Sequence, residues 1–187
     1  MFETFYIKRD KDRIYQGDIL KDFSLYSVEK ISDELVVKEY PFPYVVVISQ
    51  DCDLSNFFRN RHKQVFNQFL PNILVLPAFL ADDLLVGEHI KNIFDITQEA
   101  INSKTKKETI RNNNDPRYHF LRASGADIPD LIIDFKIYFS ISMSDIIKGK
   151  ENNYSLSLNY LARELLSQRF ANYINRIGLP DYVNIAS

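Results

Sequence analysis

The densest polar cluster of this sequence is Ser-Gln-Asp-Cys-Asp at 49–53, directly after an apolar run at 44–48. Polar loops at strand ends often carry binding and catalytic groups. In an extended backbone side chains alternate in direction, so Asp51 and Asp53 would point to one side and Cys52 to the other. Two carboxylates on one side are suitable ligands for a divalent cation. The alternative, which we favour, is structural: Asp51 and Asn56 form Asx-turns that cap the strand, and Asp53 caps a following helix.

Cys52 is the one cysteine of the chain, so no disulfide can form within it, and a reducing compartment is favoured. A cysteine thiolate becomes a nucleophile when a neighbouring histidine lowers its pKa. Of the three histidines, His119 lies between Tyr118 and Phe120 in a predicted strand and could reach the sheet surface. Cys52 and His119 are therefore one candidate catalytic pair. The alternative is that Cys52 is a small buried apolar residue.

Motifs that bind metals, nucleotides or cofactors do not occur in the sequence. It contains no HExxH, CxxC, EF-hand, Walker A, GxGxxG or GxSxG pattern. With five glycines among 187 residues, a loop that encloses a phosphate with backbone N–H groups is not expected. We therefore expect no cofactor, no metal and no nucleotide-binding enzyme of the common types.

Two segments combine basic and aromatic side chains, a combination that binds single-stranded nucleic acid through phosphate contacts and base stacking. The first contains Arg59, Arg61, His62 and Lys63 beside Phe57, Phe58 and Phe66. The second, residues 104–122, has six basic and two acidic residues and includes Arg117 next to Tyr118. The alternative, which we favour, is that the charges lie on solvated loops and the aromatic rings are buried. The candidate binding residues are Arg59, Arg61, Lys63, Arg117 and Tyr118.

The composition is that of an ordinary globular protein, with 45% apolar and 26% charged residues. The net charge is −2, from 23 basic and 25 acidic residues, so the chain as a whole offers no electrostatic argument for nucleic-acid binding. The charged N-terminus has no apolar stretch of signal-peptide length, and the longest apolar run, 44–48, is far too short to span a bilayer. We therefore expect a cytoplasmic protein that does not bind membranes.

The elements that would position these residues are mostly short strands. Weak alternation over 23–40 predicts a β-hairpin with Ser32-Asp33 at its tip. The β-branched run 44–48 predicts a central strand, and Pro41 and Pro43 are expected to prevent a regular ladder just before it. Further strands are predicted at 73–77, 117–121 and 131–143. In the last of these, Phe135, Ile137, Phe139, Ile141 and Met143 are expected to share one face.

Apolar spacing predicts helices over about 82–103 and over 156–177. Gly178 and Pro180 are typical of the end of the second helix, and the polar stretch 102–116 predicts an exposed loop. The apolar stripe of the C-terminal helix either packs on the sheet, which we expect, or docks to a partner. Strands and helices do not alternate strictly. The prediction is therefore a single α+β domain, 1–187, around a small, mostly antiparallel barrel-like sheet.

Three short motifs resemble the PemK/MazF family of bacterial toxins. They are YQGDI (15–19), YVVVIS (44–49) and ILVLPAF (73–79). The resemblance implies an SH3-like barrel over about residues 13–80. The endoribonuclease chemistry of that family uses an arginine just before a proline and the threonine of a Pro-x-Thr motif. Phe42 and Phe79 stand at those positions here, so the resemblance implies a barrel without the catalytic pair.

The leading hypothesis is therefore a non-catalytic bacterial binding module. Its expected partner is a protein, either another subunit or a second copy, with nucleic acid as an additional candidate. The resemblance implies a setting in a toxin–antitoxin or phage-defence system. The alternative is an RNA-cleaving or other nucleic-acid-processing enzyme with Asp51, Asp53, Arg117 and His119 as its candidate residues. A cysteine-dependent enzyme built on Cys52 is a third hypothesis.

Overall fold

In a computed structural model of the chain, residues 5–64, 67, 69–124 and 128–175 are described. They form an α+β fold around a strongly curled antiparallel half-barrel sheet, which confirms the predicted class and the barrel-like sheet. The strands are β1 (Tyr6–Ile7), β2 (Asp18–Ile31), β3 (Glu34–Val47), β4 (Asn72–Leu80), β5 (Tyr118–Leu121), β6 (Leu131–Asp134), β7 (Phe139–Ser142) and β8 (Tyr154–Leu158). The helices are α1 (Asp51–Asn60), α2 (Ala81–Val86), α3 (Lys91–Phe94), α4 (Lys104–Arg111), α5 (Met143–Asn153) and α6 (Tyr160–Ile174).

The sheet has the strand order β1-β8-β2-β3-β4-β6-β5, and β7 pairs with β4 beside β6. Each of these pairs is antiparallel. Apolar layers cover both faces of the sheet. One contains Phe42, Phe79 and Ile141 with residues of α1, α2 and α5, and the other contains Val46 and Phe135 beneath α6. The predicted central strand at 44–48 is confirmed, since Val46 pairs with β2 on one side and β4 on the other.

The predicted hairpin is confirmed and is longer than expected, because β2 and β3 have 14 residues each. Ser32 and Asp33 form its tip with φ values of +50° and +78°. Positive φ at both central residues gives the mirror-image turn whose twist matches that of antiparallel strands. Local chemistry at the tip therefore sets the register of the whole hairpin.

The expectation that Pro41 and Pro43 prevent a regular ladder is wrong for most of this stretch. Ser24 pairs with Pro41 and Phe23 with Phe42, and the irregularity lies at Asp22 (φ +49°), opposite Pro43. The ladder between β3 and β4 extends only from Tyr44 to Val47, so Pro41 and Pro43 lie where β3 has no partner in β4. Proline is tolerated there because an edge position needs no second set of N–H donors.

The single strand predicted over 131–143 is wrong, because β6 and β7 are separated by a turn in which Ile137 N–H donates to Asp134 O. Both strands pair with β4, but five residues, 134–138, stand opposite only Leu76 and Pro77. Proline has no N–H to donate to a ladder, and the irregularity occurs opposite it. The predicted common face is therefore also wrong: Phe135 packs in one apolar layer, and Ile141 and Met143 pack in the other.

Helix boundaries differ from the predictions where the chain turns sharply. The predicted helix 82–103 is instead the short helices α2 and α3, which end at Gly87 (φ +84°) and Asp95 (φ +55°). A Cβ on Gly87 would lie 2.1 Å from the Gln98 carbonyl oxygen, so the position requires glycine. The predicted loop 102–116 contains α4, which Ser103 caps by accepting from Lys106 N–H.

The predicted C-terminal helix is confirmed over the span of α6, but residues 154–158 form β8. Asn159 separates the two elements and caps α6 by accepting from Ala162 N–H. The helix packs on the sheet with Ala162, Leu166 and Phe170, as expected, whereas Leu161 and Leu165 are exposed. The predicted terminus with Gly178 and Pro180 lies outside the described residues.

Candidate functional site

The predicted carboxylate cluster lies in a helix and not at an extended strand end. Helix α1 begins at Asp51, after Gln50 in the extended conformation. Residues two apart on a helix do not face each other, so the expectation that Asp51 and Asp53 share one side is wrong. Both carboxylates stand in the first turn, where they interact favourably with the helix dipole. The expected capping role of Asp53 is also wrong, since the cap position is held by Gln50.

Asp51 is held by two arginines from outside its own helix. Its oxygens accept hydrogen bonds from the Arg13 guanidinium at 3.2 and 3.1 Å, and Arg163 Nη1 of α6 lies 3.7 Å from Asp51 Oδ2. Partial burial raises the pKa of Asp51, but the hydrogen bonds and charge of Arg13 outweigh it and leave the pKa below its ordinary value. The carboxylate is therefore ionised and already paired.

Gln16 joins the same cluster to the C-terminal helix. Its side-chain N–H groups donate to Ile48 O at 3.3 Å and to Ser167 Oγ at 2.8 Å. Its Oε1 accepts from the Asp51 backbone N–H at 3.4 Å. The contacts around Asp51 thus connect the N-terminal segment, the end of β3, α1 and α6. This is the arrangement of a structural junction, and no pattern in the sequence singles out Gln16.

The aspartate of the Gly-Asp-Ile motif forms a buried ion pair. Asp18 Oδ2 lies 2.7 Å from Lys150 Nζ of α5, and both side chains are almost fully buried. Ser157 Oγ donates to Asp18 Oδ1 at 2.6 Å, and Tyr15 N–H donates to Oδ2 at 2.8 Å. Burial raises the pKa of Asp18 and lowers that of Lys150, and the charge of each partner opposes the effect on the other. Sequence reasoning missed Lys150 because it lies in a polar run, 148–153.

His119 is enclosed in the apolar layer beneath α6 and is only 3% exposed. Burial, together with the nearby charge of Arg169, lowers the pKa of His119 to about 3. Its Nδ1 is buried without a hydrogen-bond partner among the described residues. The imidazole is therefore neutral at physiological pH, and its buried ring lies 6.3 Å from the ring of Phe135.

Cys52 is exposed on α1. Its Sγ contacts the side chains of Gln50 at 3.5 Å and Asp53 at 3.8 Å, within its own segment. The prediction that Cys52 is a buried apolar residue is wrong, because position 52 lies on the outer side of the first helical turn. The two members of the candidate catalytic pair have opposite environments, with Cys52 at the surface and His119 inside the protein.

Arg117 and Tyr118, both predicted to bind nucleic acid, make contacts within the protein. Arg117 Nε donates to Asp134 Oδ1 at 2.8 Å, and its Nη2 donates to Oδ2 of the same carboxylate. This hydrogen bonding raises the pKa of Arg117. Tyr118 is buried, and the Arg117 guanidinium lies over its ring, 4.8 Å from the centroid. Neither group is free to take a phosphate or a base.

The first basic segment keeps its charges at the surface and its described rings inside. The side chains of Arg59, Arg61 and Lys63 are exposed. Phe57 and Phe58 are buried in the core, while Phe66 lies outside the described residues. Stacking of bases on Phe57 or Phe58 would require the core to open. This separation supports the structural alternative for the described part of the segment.

Exposed apolar side chains are concentrated on the outer part of the β2–β3 hairpin, residues 24–41, which we call the arm. One face of it, the arm face, is formed by three cross-strand pairs: Tyr26 with Glu39, Val28 with Val37, and Lys30 with Leu35. Its apolar members are strongly exposed, with Tyr26 at 66%, Val28 at 65%, Leu35 at 75% and Val37 at 64%. A contiguous exposed apolar patch usually marks an interaction surface. Sequence reasoning missed it because the alternation over 23–40 does not show which face is covered.

The opposite face of the arm packs against the protein at its base, while Ile31 and Val36 near its tip are 48% and 36% exposed. Leu25 and Tyr40 pack against the core at its base, and the Tyr40 and Phe94 rings lie 5.6 Å apart. Further out, Lys38 Nζ lies 2.6 Å from Glu29 Oε2, and Tyr40 Oη donates to Glu29 Oε1 at 3.2 Å. The two faces therefore differ in degree: the opposite face packs at its base, and the four apolar side chains of the arm face are each more exposed than Ile31 or Val36.

Two findings bear on metals and membranes. Among the described residues, no three His, Cys, Asp or Glu side chains lie close enough together to hold a metal ion. Within the same ranges, no helix combines the length and apolar character needed to cross a bilayer.

Comparison with known proteins yields no family for this chain. No protein-family model matches it. No curated protein matches its sequence either. The motifs that resemble PemK/MazF toxins remain a prediction from the sequence, and an assignment of function depends on the geometry of the described residues.

Proposed function

We propose that this protein is a non-catalytic interaction module that binds another protein chain through its arm. The observation that carries the proposal is the arm face, on which four large apolar side chains are about two-thirds exposed or more. Monomeric soluble proteins rarely leave such a patch on a projecting element without a partner. Aromatic and aliphatic side chains of this kind supply most of the affinity in protein interfaces.

Three of the four residues offered for RNA cleavage, Asp51, His119 and Arg117, support the same proposal because they are paired or buried; the fourth, Asp53, is exposed in the first turn of α1. A general acid or base must reach substrate and must change its protonation state near the working pH. Asp51 is ionised and bound by Arg13. His119 is buried, with its pKa lowered to about 3. Arg117 is bound by Asp134. These contacts argue against the RNA-cleaving alternative.

The two phenylalanines that replace the toxin family's catalytic residues also support a non-catalytic role. Phe42 and Phe79 are almost completely buried, and their ring centroids lie 6.5 Å apart in an edge-to-face arrangement. They fill the core beneath the curled sheet. On the basis of the resemblance, we propose that this chain uses a toxin-like barrel for binding in a toxin–antitoxin or phage-defence system.

The test is a purification of the tagged protein from its native host, with proteins identified and RNA quantified in the same eluate. We expect a near-stoichiometric protein companion that survives nuclease treatment and is lost in Val28→Glu. Val86→Glu is the matched control, because Val86 at the end of α2 is 56% exposed and lies outside the arm.

Two results would contradict the proposal. One is a companion retained equally by Val28→Glu and Val86→Glu, which would place the contact outside the arm. The other is RNA as the sole companion, together with RNA cleavage that Asp51→Ala or His119→Ala abolishes in a folded protein. That second result would support the nuclease alternative.

A further inference from the structure

We propose that the arm face packs against the same face of a second copy of this chain, so that the protein forms a two-fold symmetric dimer. The proposal rests on the proposed function, in which the arm is the contact surface, and it names the partner. The symmetry axis lies midway between the two faces, perpendicular to the strands, and runs between the Val28–Val37 pair of one copy and the same pair of the other.

The arm face has the pattern that such an interface requires. In a two-fold dimer the same patch meets itself, so it must be complementary to its own rotated copy. Val28 and Val37 lie directly opposite each other at the centre of the arm face. Rotation about this pair places apolar side chain against apolar side chain. The centre of the patch is therefore self-complementary.

The charges on either side of this centre are also self-complementary. Lys30 lies two residues from Val28 toward the tip, and Glu39 lies two residues from Val37 toward the base. The rotation reverses the strand direction, so the row that holds Lys30 in one copy meets the row that holds Glu39 in the other. Because β2 then lies over β2 and β3 over β3, Lys30 faces Tyr26 of the other copy directly and reaches Glu39 diagonally across the strand pair. Each interface therefore contains two diagonal contacts between opposite charges, related by the axis.

The contacts that Lys30 and Glu39 make within one copy are weak enough to be exchanged for contacts across the dimer. Lys30 Nζ lies 2.8 Å from Asp33 Oδ1, and both side chains are mostly exposed. Tyr26 Oη donates to Glu39 Oε1 at 3.2 Å, also at the surface. Exposed contacts of this kind contribute little to stability and exchange readily. In the dimer Lys30 would also meet the Tyr26 ring of the second copy, a favourable cation–aromatic contact.

Packing of the two faces fits the arm better than pairing of its β3 edge. Pro41 lies on that edge, has no N–H group to donate and interrupts a continuous ladder there. The arm face, in contrast, presents side chains from both strands and would bury Val28, Val37 and Leu35 together. The interface is therefore assigned to the face.

The test is sedimentation equilibrium of the full chain from about 1 to 200 µM, with charge-reversal variants that can be mixed. We expect a reversible dimer for the wild type and at least ~10-fold weaker association for Val28→Glu, which places a carboxylate at the axis. Val86→Glu should associate like the wild type. Lys30→Glu and Glu39→Lys should each weaken association because each brings like charges together.

Mixing is the decisive measurement. Combining Lys30→Glu with Glu39→Lys restores opposite charges at both contacts across the axis, so the mixture should form heterodimers with near wild-type affinity. A contact within one arm could not be restored in this way. A wild type that stays monomeric at 200 µM would overturn the proposal, and so would a mixture no tighter than its components.

The two proposals fail in distinguishable ways. If the wild type is monomeric but a different protein is captured from the host and lost in Val28→Glu, the second copy is rejected and the arm remains the contact surface. If neither self-association nor Val28-dependent capture occurs, both proposals are rejected.

Discussion

The inner and outer halves of the β2–β3 hairpin share one pair of strands and the same residue types, but their environments are opposite. Val46 in the inner half is fully buried, whereas Val37 in the arm is 64% exposed. β8 and β4 flank the inner half, and apolar layers cover both of its faces. The ladders to β8 and β4 end at Leu20 and Tyr44 and do not reach the arm. The same β-branched residues are therefore core in one half and contact surface in the other.

The ion pairs of the two halves show the same contrast. Asp18 and Lys150 are 2.7 Å apart inside the protein, and Glu29 and Lys38 are 2.6 Å apart at the surface. Similar distances carry different consequences, because a buried charge that loses its partner cannot be compensated by water. An exposed charge can, so its partner contributes little. The buried ion pair of the inner half therefore stabilises the fold, whereas the exposed ion pair of the arm contributes little to stability.

The largest expected effect comes from removing the cation of the buried pair. Lys150→Met should lower the free energy of unfolding by about 3–5 kcal/mol, because Asp18 would remain buried without its counter-ion. Lys38→Met is the matched control in the outer half, and its effect should be far smaller. Urea denaturation of both variants measures the difference. Equal losses of unfolding free energy in the two variants would show that the buried and the exposed ion pair contribute equally to stability, contrary to this comparison.

A smaller effect is expected from apolar side chains of β3. Phe42→Ala should cost about 3 kcal/mol, because Phe42 contacts Phe79 and Phe139 in the core and its removal leaves a cavity. Val37→Ala should cost less than about 0.5 kcal/mol, because its side chain is exposed in the monomer. Thermal unfolding at a concentration below dimer formation measures both. A large loss for Val37→Ala there would mean that the arm packs within its own chain.

The smallest effect is a pH dependence from His119, whose pKa is lowered to about 3 from an unfolded value near 6.5. The unfolded chain therefore binds more protons between these values, and stability falls as the pH is lowered through this window. Between pH 6.5 and pH 5 the loss should be about 1–2 kcal/mol.

Denaturation curves at the two pH values, with His119→Leu for comparison, test this expectation. The variant should lose the part of the pH dependence that comes from His119, and the part from His89, whose pKa burial also lowers, should remain. His62→Leu, at an exposed position, is the matched control. An unchanged dependence in His119→Leu would assign the effect to other groups.

Features governed by neighbouring residues were predictable. Ser32 and Asp33 identify a hairpin tip because a two-residue turn depends on local backbone preferences. The run 44–48 identifies a buried strand because every side chain in it is apolar or aromatic. The division of 131–143 into β6 and β7 was not predictable, because the interruption lies opposite Pro77 of β4, which is distant in sequence. The burial of Lys150 was hidden for the same reason, since its partner Asp18 is 132 residues away.

The sequence by itself determined the α+β class, the hairpin, the central strand and the existence of a C-terminal helix, because these follow from short-range periodicity and turn chemistry. Tertiary structure alone decided which polar side chains form ion pairs or hydrogen bonds and which apolar side chains are exposed to solvent. Asp51 became a junction because Arg13 and Arg163 converge on it. The arm became a surface because neither β4 nor β8 extends along it. Burial depends on which distant segments cover a residue, and that information is not contained in any local pattern.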